Sequence, residues 1–389
     1  MIMAWGMSPM ATNSYETAKS ATLGNYTNFH RSIYLLLGLP FDAIDMDKAM
    51  AEVLTAAKTG TRCFLSTPNL NWLIACQHDE EFRNSVLQSD LSLADGMPLV
   101  WLSRLFGLPL RQRVPGSDLF QRLRECPISV HFFGGPPGFA GRACQAINQS
   151  GGPMKCRGHL SPGFGSVEEM SDPATLAAIN DSGADFLVVA LGARKGQAWI
   201  LQNLVHMHVP VVSHLGAVVN FVAGSVTRSP RLVGKLGLEW LWRIKEEPGL
   251  WRRYWKDGLG FLHYLFWHGI PAMVMSHKTF SNSPSLQFIG DKDTELHLRL
   301  GGPWMKNNLQ PLRNALTDLN SRPRSVTLDV TDVCHLDSAV LGILALLRGH
   351  QLKSDQSMAI TGASAALRKQ LDHFGASYLL EPLNPVALD

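Results

Sequence analysis

Three short runs in the first third of the chain gather side chains able to bind a polar ligand and move a proton: Thr67-Pro68-Asn69, Ala94-Asp95-Gly96 and Pro115-Gly116-Ser117-Asp118. Together they offer a hydroxyl, a carboxamide and carboxylates, and Asp95 is the group suited to take a proton. Each run also has a plainer reading, since Asp-Gly is common in turns and Thr-Pro-Asn is a good helix start.

The elements around these runs decide where the side chains stand. Thr61 to Ser66 reads as a short strand, residues 71–89 carry helix-like spacing through Leu73, Ile74, Cys76, Phe82, Val86 and Leu87, and Leu91 to Ala94 reads as a second strand. A β-α-β unit of this kind delivers polar residues to the carboxyl ends of parallel strands, where open α/β sheets bind ligands. Further on, Val130 to Phe133 reads as a strand followed by Gly134-Gly135-Pro136-Pro137-Gly138. Those glycines either bring backbone amides close to a nucleotide or simply make a tight strand-to-helix turn.

At 389 residues with 46% apolar residues, the chain has material for two domains. A formal charge of +3 is too small to suggest a nucleic-acid partner, and the basicity is local. Six cysteines show neither a Cys-x-x-Cys pair nor metal-ligand spacing, which suggests reduced thiols and a cytoplasmic setting. The fourteen histidines include no helical His-x-x-x-His with an accompanying Glu, so a zinc hydrolase is not supported. Residues 1–30, rich in Ser, Thr, Asn and Met, read as a flexible extension without a signal pattern.

The ordered set Thr67-Pro68-Asn69, Ala94-Asp95-Gly96, Arg113 to Asp118, Phe132-Phe133-Gly134-Gly135, Val189-Ala190-Leu191-Gly192 and Leu238 to Arg243 resembles the WecG/TagA/CpsF family of bacterial glycosyltransferases over about Leu37 to Gly258. The resemblance implies a Rossmann-like α/β domain and an inverting transferase. Its donor would be a UDP-sugar, often of N-acetylmannosamine type, and its acceptor an undecaprenyl-diphosphate-linked saccharide at the inner face of the cytoplasmic membrane. It implies Asp95 as general base, with Thr67, Asn69, Gly96, Gly116, Asp118, Gly134, Gly135, Gly192, Gln197 and Asn220 around the substrates. It also implies a subunit interface near the pocket.

Displacement at an anomeric carbon needs one base and positive charge on the departing diphosphate. Asp45-Met46-Asp47 and Asp291-Lys292-Asp293 could in principle hold a metal, but the first precedes a helical pattern and the second sits in a turn, so no metal or other cofactor is expected. Arginine can replace the metal. Residues 228–256 hold eight basic side chains against three acidic ones, interleaved with Trp240, Trp242, Trp251, Tyr254 and Trp255. This composition suits a membrane interface. The resemblance implies that the stretch 228–279 is an appendage that covers the site, with Arg228, Arg243, Arg252 and Arg253 as candidates for the diphosphate. The apolar run 258–275, interrupted by Pro271, is short for a span and reads as an interfacial segment or a helix between domains.

Two departures bear on the donor. Where the family continues Ser/Ala-Pro-Lys-Gln-Glu, this chain reads Ala193-Arg194-Lys195-Gly196-Gln197, and Asn220 stands where the family has Asp. A non-catalytic relative that senses sugar nucleotides or serves as a scaffold is therefore the alternative.

The catalytic domain is expected over 31–227, followed by the appendage, a linker at 280–285, a second domain at 286–380 and a tail at 381–389. The second domain alternates a hairpin, helices and strands as a small α/β sandwich. Gly301, Leu328-Asp329-Val330-Thr331 and Leu336-Asp337-Ser338-Ala339-Val340-Leu341-Gly342 make it resemble a STAS domain. Ala339 replaces the serine that phospho-regulated relatives modify; Ser338 reads as the helix cap, and Ser338 and Thr331 remain as hydroxyls for a phosphate. The resemblance implies a module that recruits a protein partner or orients the transferase.

Overall fold

The computed structural model describes residues 26–224, 239–246, 249–276, 283–291 and 293–384. An antiparallel hairpin comes first, β1 (Ile33–Leu36) and β2 (Leu39–Asp42), buried throughout. Helix α1 (Met46–Thr59) begins at Asp45, whose carboxylate accepts the Lys48 N–H at 2.8 Å, as a capping residue should. Asp47 pairs with Arg122 at the surface.

Strands β3 (Cys63–Ser66), β4 (Leu91–Ser92), β5 (Ser129–Gly134), β6 (Lys155–Leu160), β7 (Phe186–Ala190) and β8 (Val211–His214) form a parallel sheet in the order β4-β3-β8-β7-β5-β6. The helices between them are α2 (Leu70–Ala75), α3 (Glu80–Leu87), α4 (Met97–Leu105), α5 (Gly116–Leu123), α6 (Phe139–Gln149), α7 (Pro173–Asp181) and α8 (Ala193–Asn203), with α9 (Gly216–Val222) after β8. Helices on both faces explain why the inner strands are continuously apolar rather than alternating. The helix expected over residues 71–89 is two, because the Asp79 carboxylate accepts the Phe82 N–H and starts α3 afresh.

The cysteines depart from expectation. Cys144 on α6 and Cys156 on β6 form a disulfide, with Cα atoms 5.2 Å apart. Asn148 creates that proximity: its side chain accepts the Cys156 N–H at 2.9 Å and donates to the Cys156 carbonyl at 3.0 Å, pairing the edge strand as a neighbouring strand would.

Beyond the sheet lie α10 (Glu239–Glu246), α11 (Leu250–Tyr264), a π-turn at Leu265–Gly269 and α12 (Ile270–Ser276). The second domain has β9 (Ser285–Asp291), β10 (Glu295–Trp304), α13 (Gln310–Thr317), β11 (Ser325–Leu336), α14 (Ser338–Ser354), β12 (Met358–Thr361) and α15 (Ala365–His373). Its sheet runs β12-β11-β10-β9, with only the β9–β10 pair antiparallel. Ser285 already belongs to β9, and residues 280–282 of the expected linker, like 277–279 before it, lie outside the described residues.

The two halves share a core. Helix α14 is buried continuously from Ser338 to Gln351, so no side of it faces solvent there. One side packs on the β10 and β11 residues Leu298, Leu300, Leu328 and Val330, and the same cluster takes in Ile33, Leu35 and Leu36 of the hairpin and Phe82, Val86 and Leu87 of α3. Contact is at backbone level: a Cβ on Gly342 would lie 3.0 Å from the Ile33 carbonyl oxygen, and one on Gly349 2.0 Å from that of Leu87. Asp337, not Ser338, caps α14, accepting the Ala339 and Val340 N–H groups. Ser338 instead donates its hydroxyl to the Leu35 carbonyl at 2.7 Å and is 4% exposed, which closes it to a kinase.

Gly349→Ala therefore sets a methyl against a backbone carbonyl that has no rotamer to yield. Its cost should reach or pass the upper end of the about 1–3 kcal/mol typical of overpacking. Urea denaturation followed by tryptophan fluorescence and by far-UV circular dichroism should show both signals shifting together; an unchanged midpoint would contradict the packing of α14 on α3.

Candidate functional site

The loops at the carboxyl edge of the large sheet are laced together by main-chain hydrogen bonds. Leu93 N–H reaches the Ser66 carbonyl at 2.9 Å, Asp95 N–H the Pro68 carbonyl at 3.0 Å, and Val114 N–H the Ala94 carbonyl at 2.8 Å. Thr67-Pro68-Asn69, Ala94-Asp95-Gly96 and Val114-Pro115-Gly116 thus form one continuous wall, although β4 itself is only two residues long. Gly96 supports the turn with a φ of 130°, a conformation open to glycine.

Within the wall, Thr67 is buried and Asp95 half-buried. Gly116 opens α5 where a Cβ would lie 2.3 Å from Leu215 Cδ2 and 3.3 Å from Thr67 Oγ1, so its lack of a side chain lets the start of α5 lie against the residues that follow β3 and β8. Asp118, in the first turn of α5, lies 3.6 Å from Arg113 and is 43% exposed. Asn69 has a structural duty as well as its place at the edge: its carbonyl oxygen accepts the Trp72 N–H at 3.2 Å and caps α2.

Gly134, Gly135 and Gly192 occupy the ends of β5 and β7 with positive φ. At Gly134 a Cβ would come 2.8 Å from the Ala190 carbonyl oxygen, which also accepts the Gly135 N–H at 2.7 Å. Tight β5–β7 packing explains Gly134, whereas Gly135 faces Val219 of α9 and a Cβ on Gly192 would meet no neighbour within 4 Å.

Gln197 is fully buried and donates to Ser66 Oγ at 2.9 Å, and Ser66 in turn bonds Ser89 at 2.5 Å. Its amide is enclosed beside the carboxyl end of β3, with the oxygen buried and without a hydrogen-bond partner. Asn220 lies half-buried on α9. Of the expected diphosphate arginines, Arg228 lies outside the described residues, as do the side chains of Arg243 and Arg253. Arg252 is exposed on α11 with its guanidinium 5.8 Å from the Trp251 ring centre. Helix α11 packs on α2, the helix Asn69 caps, and a Cβ on Gly260 would lie 3.6 Å from Ile74.

His214, at the carboxyl end of β8, is a feature the motifs pass over. A Cβ on Gly196 would lie 2.4 Å from its Cδ2, so the glycine at the unusual Arg194-Lys195-Gly196-Gln197 stretch makes room for this ring. A large residue on β8 and a missing one on α8 form a matched pair, which only spatial adjacency makes visible. Burial pushes the His214 pKa down to about 4. Within β5, His131 is likewise pushed down to about 4, first by burial and then by His159, and Gly158 gives way to it.

An imidazole with a folded pKa below its ordinary 6.5 gains a proton on unfolding, so stability is present above that value and drains away as pH falls towards 4. Each such histidine contributes a slope of about 1.4 kcal/mol per pH unit in that window. Thermal melts should fall between about pH 6.5 and 4.5, less steeply in His131→Asn. A flat melting temperature across that range would contradict the neutral, buried state of these rings.

Residues 34–273 match the family described as Glycosyl transferase WecG/TagA/CpsF, and residues 289–381 match the Mlab STAS domain. An N-acetylglucosaminyldiphosphoundecaprenol N-acetyl-beta-D-mannosaminyltransferase of Bacillus spizizenii is 26% identical over 195 residues, covering 49% of this chain and 74% of that protein.

Proposed function

The chain belongs to the WecG/TagA/CpsF family of glycosyltransferases, and from that premise we propose that it is an inverting, metal-independent transferase with Asp95 as general base. The donor is a UDP-sugar of N-acetylmannosamine type, its uronic acid or a hexose. The acceptor is an undecaprenyl-diphosphate-linked saccharide, the class named in the Bacillus relative. The observation that carries this reading is the hydrogen-bonded wall joining Thr67, Asp95 and Gly116 at the carboxyl edge of the sheet.

In this mechanism the Asp95 carboxylate takes the proton of the acceptor hydroxyl as that oxygen attacks the anomeric carbon from the face opposite the diphosphate. Thr67 lies beside Gly116 to position the sugar. Arg228, Arg243, Arg252 and Arg253 supply the charge that stabilises the departing UDP, a task for which the guanidinium fork is suited. The packing of α11 on α2 supports a route for Arg252 towards the site.

A lipid-linked acceptor calls for a membrane surface, and the chain offers one. Trp251, Trp255, Leu259, Leu262, Phe266, Ile270 and Val274 are all exposed and recur every three or four residues along α11, the π-turn and α12, forming one apolar stripe. Such a stripe lies in the interface plane rather than spanning it. Among the described residues no helix is long and apolar enough to cross a membrane. We place the enzyme at the inner face of the cytoplasmic membrane on this stripe. The STAS domain serves as a structural half of the enzyme, since the face of α14 that begins at Ser338 is covered by the chain's own hairpin.

Transfer from a panel of UDP-sugars to a short-chain lipid-diphosphate acceptor should proceed in EDTA. Asp95→Asn should lower turnover by about 10²–10⁴-fold with little change in donor KM. Undiminished transfer in that variant, or a strict metal requirement, would contradict the mechanism. In a separate sedimentation assay, Trp255→Ser with Phe266→Ser should release the protein from anionic vesicles while sparing transfer to a soluble acceptor; retention on vesicles would contradict the stripe's role.

A further inference from the structure

Where the appendage meets the STAS domain, two histidines and an aspartate converge in a way the transferase reaction does not use. Pro271 has no N–H to give to the Trp267 carbonyl four residues earlier, and the helix there passes through a π-turn in which the Ile270 N–H reaches the Leu265 carbonyl. The Trp267 carbonyl faces the imidazole of His373, the last residue of α15. His268 makes the reciprocal contact, its Nδ1 lying 3.0 Å from the Asp372 carbonyl oxygen and 3.8 Å from the Asp372 carboxylate. Tyr264 stacks on the His268 ring at 4.5 Å and fixes its plane.

One nitrogen from each imidazole and one carboxylate oxygen of Asp372 come within 4.8 Å of one another. His373 Nδ1 and the Tyr264 hydroxyl are both buried without a hydrogen-bond partner. Buried polar atoms of this kind ordinarily find a partner, and a bound ion supplies one. Tetrahedral ligands about 2.0 Å from a zinc ion stand about 3.3 Å apart, so small side-chain rotations close the set.

We propose that His268, Asp372 and His373 bind a divalent ion of the zinc class, stapling the π-turn between α11 and α12 to α15 of the STAS domain. Two imidazoles and a carboxylate suit that class and leave a fourth position for water. The Asp372 carbonyl against His268 Nδ1 is an outer-shell acceptor of the kind that normally orients a ligating histidine, leaving Nε2 for the ion. Lys369, one turn before His373, is the cation whose repulsion the ion must overcome. The site lies on elements separate from those carrying Asp95, so the ion is structural and the transfer chemistry does not run through it.

The test uses the full chain, stripped with a chelator and titrated with cobalt(II), whose visible absorption reports tetrahedral coordination, and then with zinc by calorimetry. One ion per chain should bind, zinc should raise the melting temperature, and His268→Ala and His373→Ala should each weaken binding at least tenfold and abolish that rise. Circular dichroism and transfer to a soluble acceptor verify that the variants fold; should His373→Ala not fold, Asp372→Asn is read in its place with the same expectation. No stoichiometric binding, or equal binding by parent and variants as an adventitious ion only, would overturn the proposal.

Discussion

Helix α14 is buried on every side from Ser338 to Gln351, its polar Arg348, His350 and Gln351 included, so cover must come from every side. The small STAS sheet covers one side. The β1–β2 hairpin and α3 of the transferase cover the other, at a distance set by Gly342 and Gly349. Neither half could leave without exposing a row of leucines to water, at about 25 cal/mol for each Å² uncovered.

That shared core also reaches the strands that carry the candidate site. Asp42 receives both the Arg31 guanidinium and the Ser92 N–H, tying the hairpin to β4. Asp90 accepts the Phe64 N–H at 2.8 Å and pairs with Lys353 at the end of α14. Strands β3 and β4 are therefore held from the STAS side at their amino ends, while their carboxyl ends present Thr67 and Asp95. In these buried settings ion pairs fix register more than they add stability, because desolvation offsets much of their attraction. The STAS domain is thereby tied to the strands that carry Thr67 and Asp95.

The sequence disclosed the β/α alternation and the three loops, because period and turn chemistry are local properties. The second domain was legible for the same reason, down to strand β12 and helix α15. Residues whose role depends on a distant neighbour were misread or passed over. Ser338 looks like a cap until Leu35 claims its hydroxyl and Asp337 takes the cap. Cys144 and Cys156 show no recognisable spacing, since their pairing is arranged by Asn148. The hairpin at 33–42 lies in an apolar run in which only Gly38 and Pro40 mark the turn, and burial on both faces removes the alternation that would announce its strands.

A transferase domain and a STAS domain built on one core should also open as one. Native-state hydrogen exchange, read peptide by peptide, compares α14 and β1 with the central strand β7 of the large sheet. The account predicts that the amides of all three exchange with the same free energy of opening. Exchange of α14 and β1 at a much lower free energy, with β7 still protected, would contradict it and return the STAS domain to the role of a separable module.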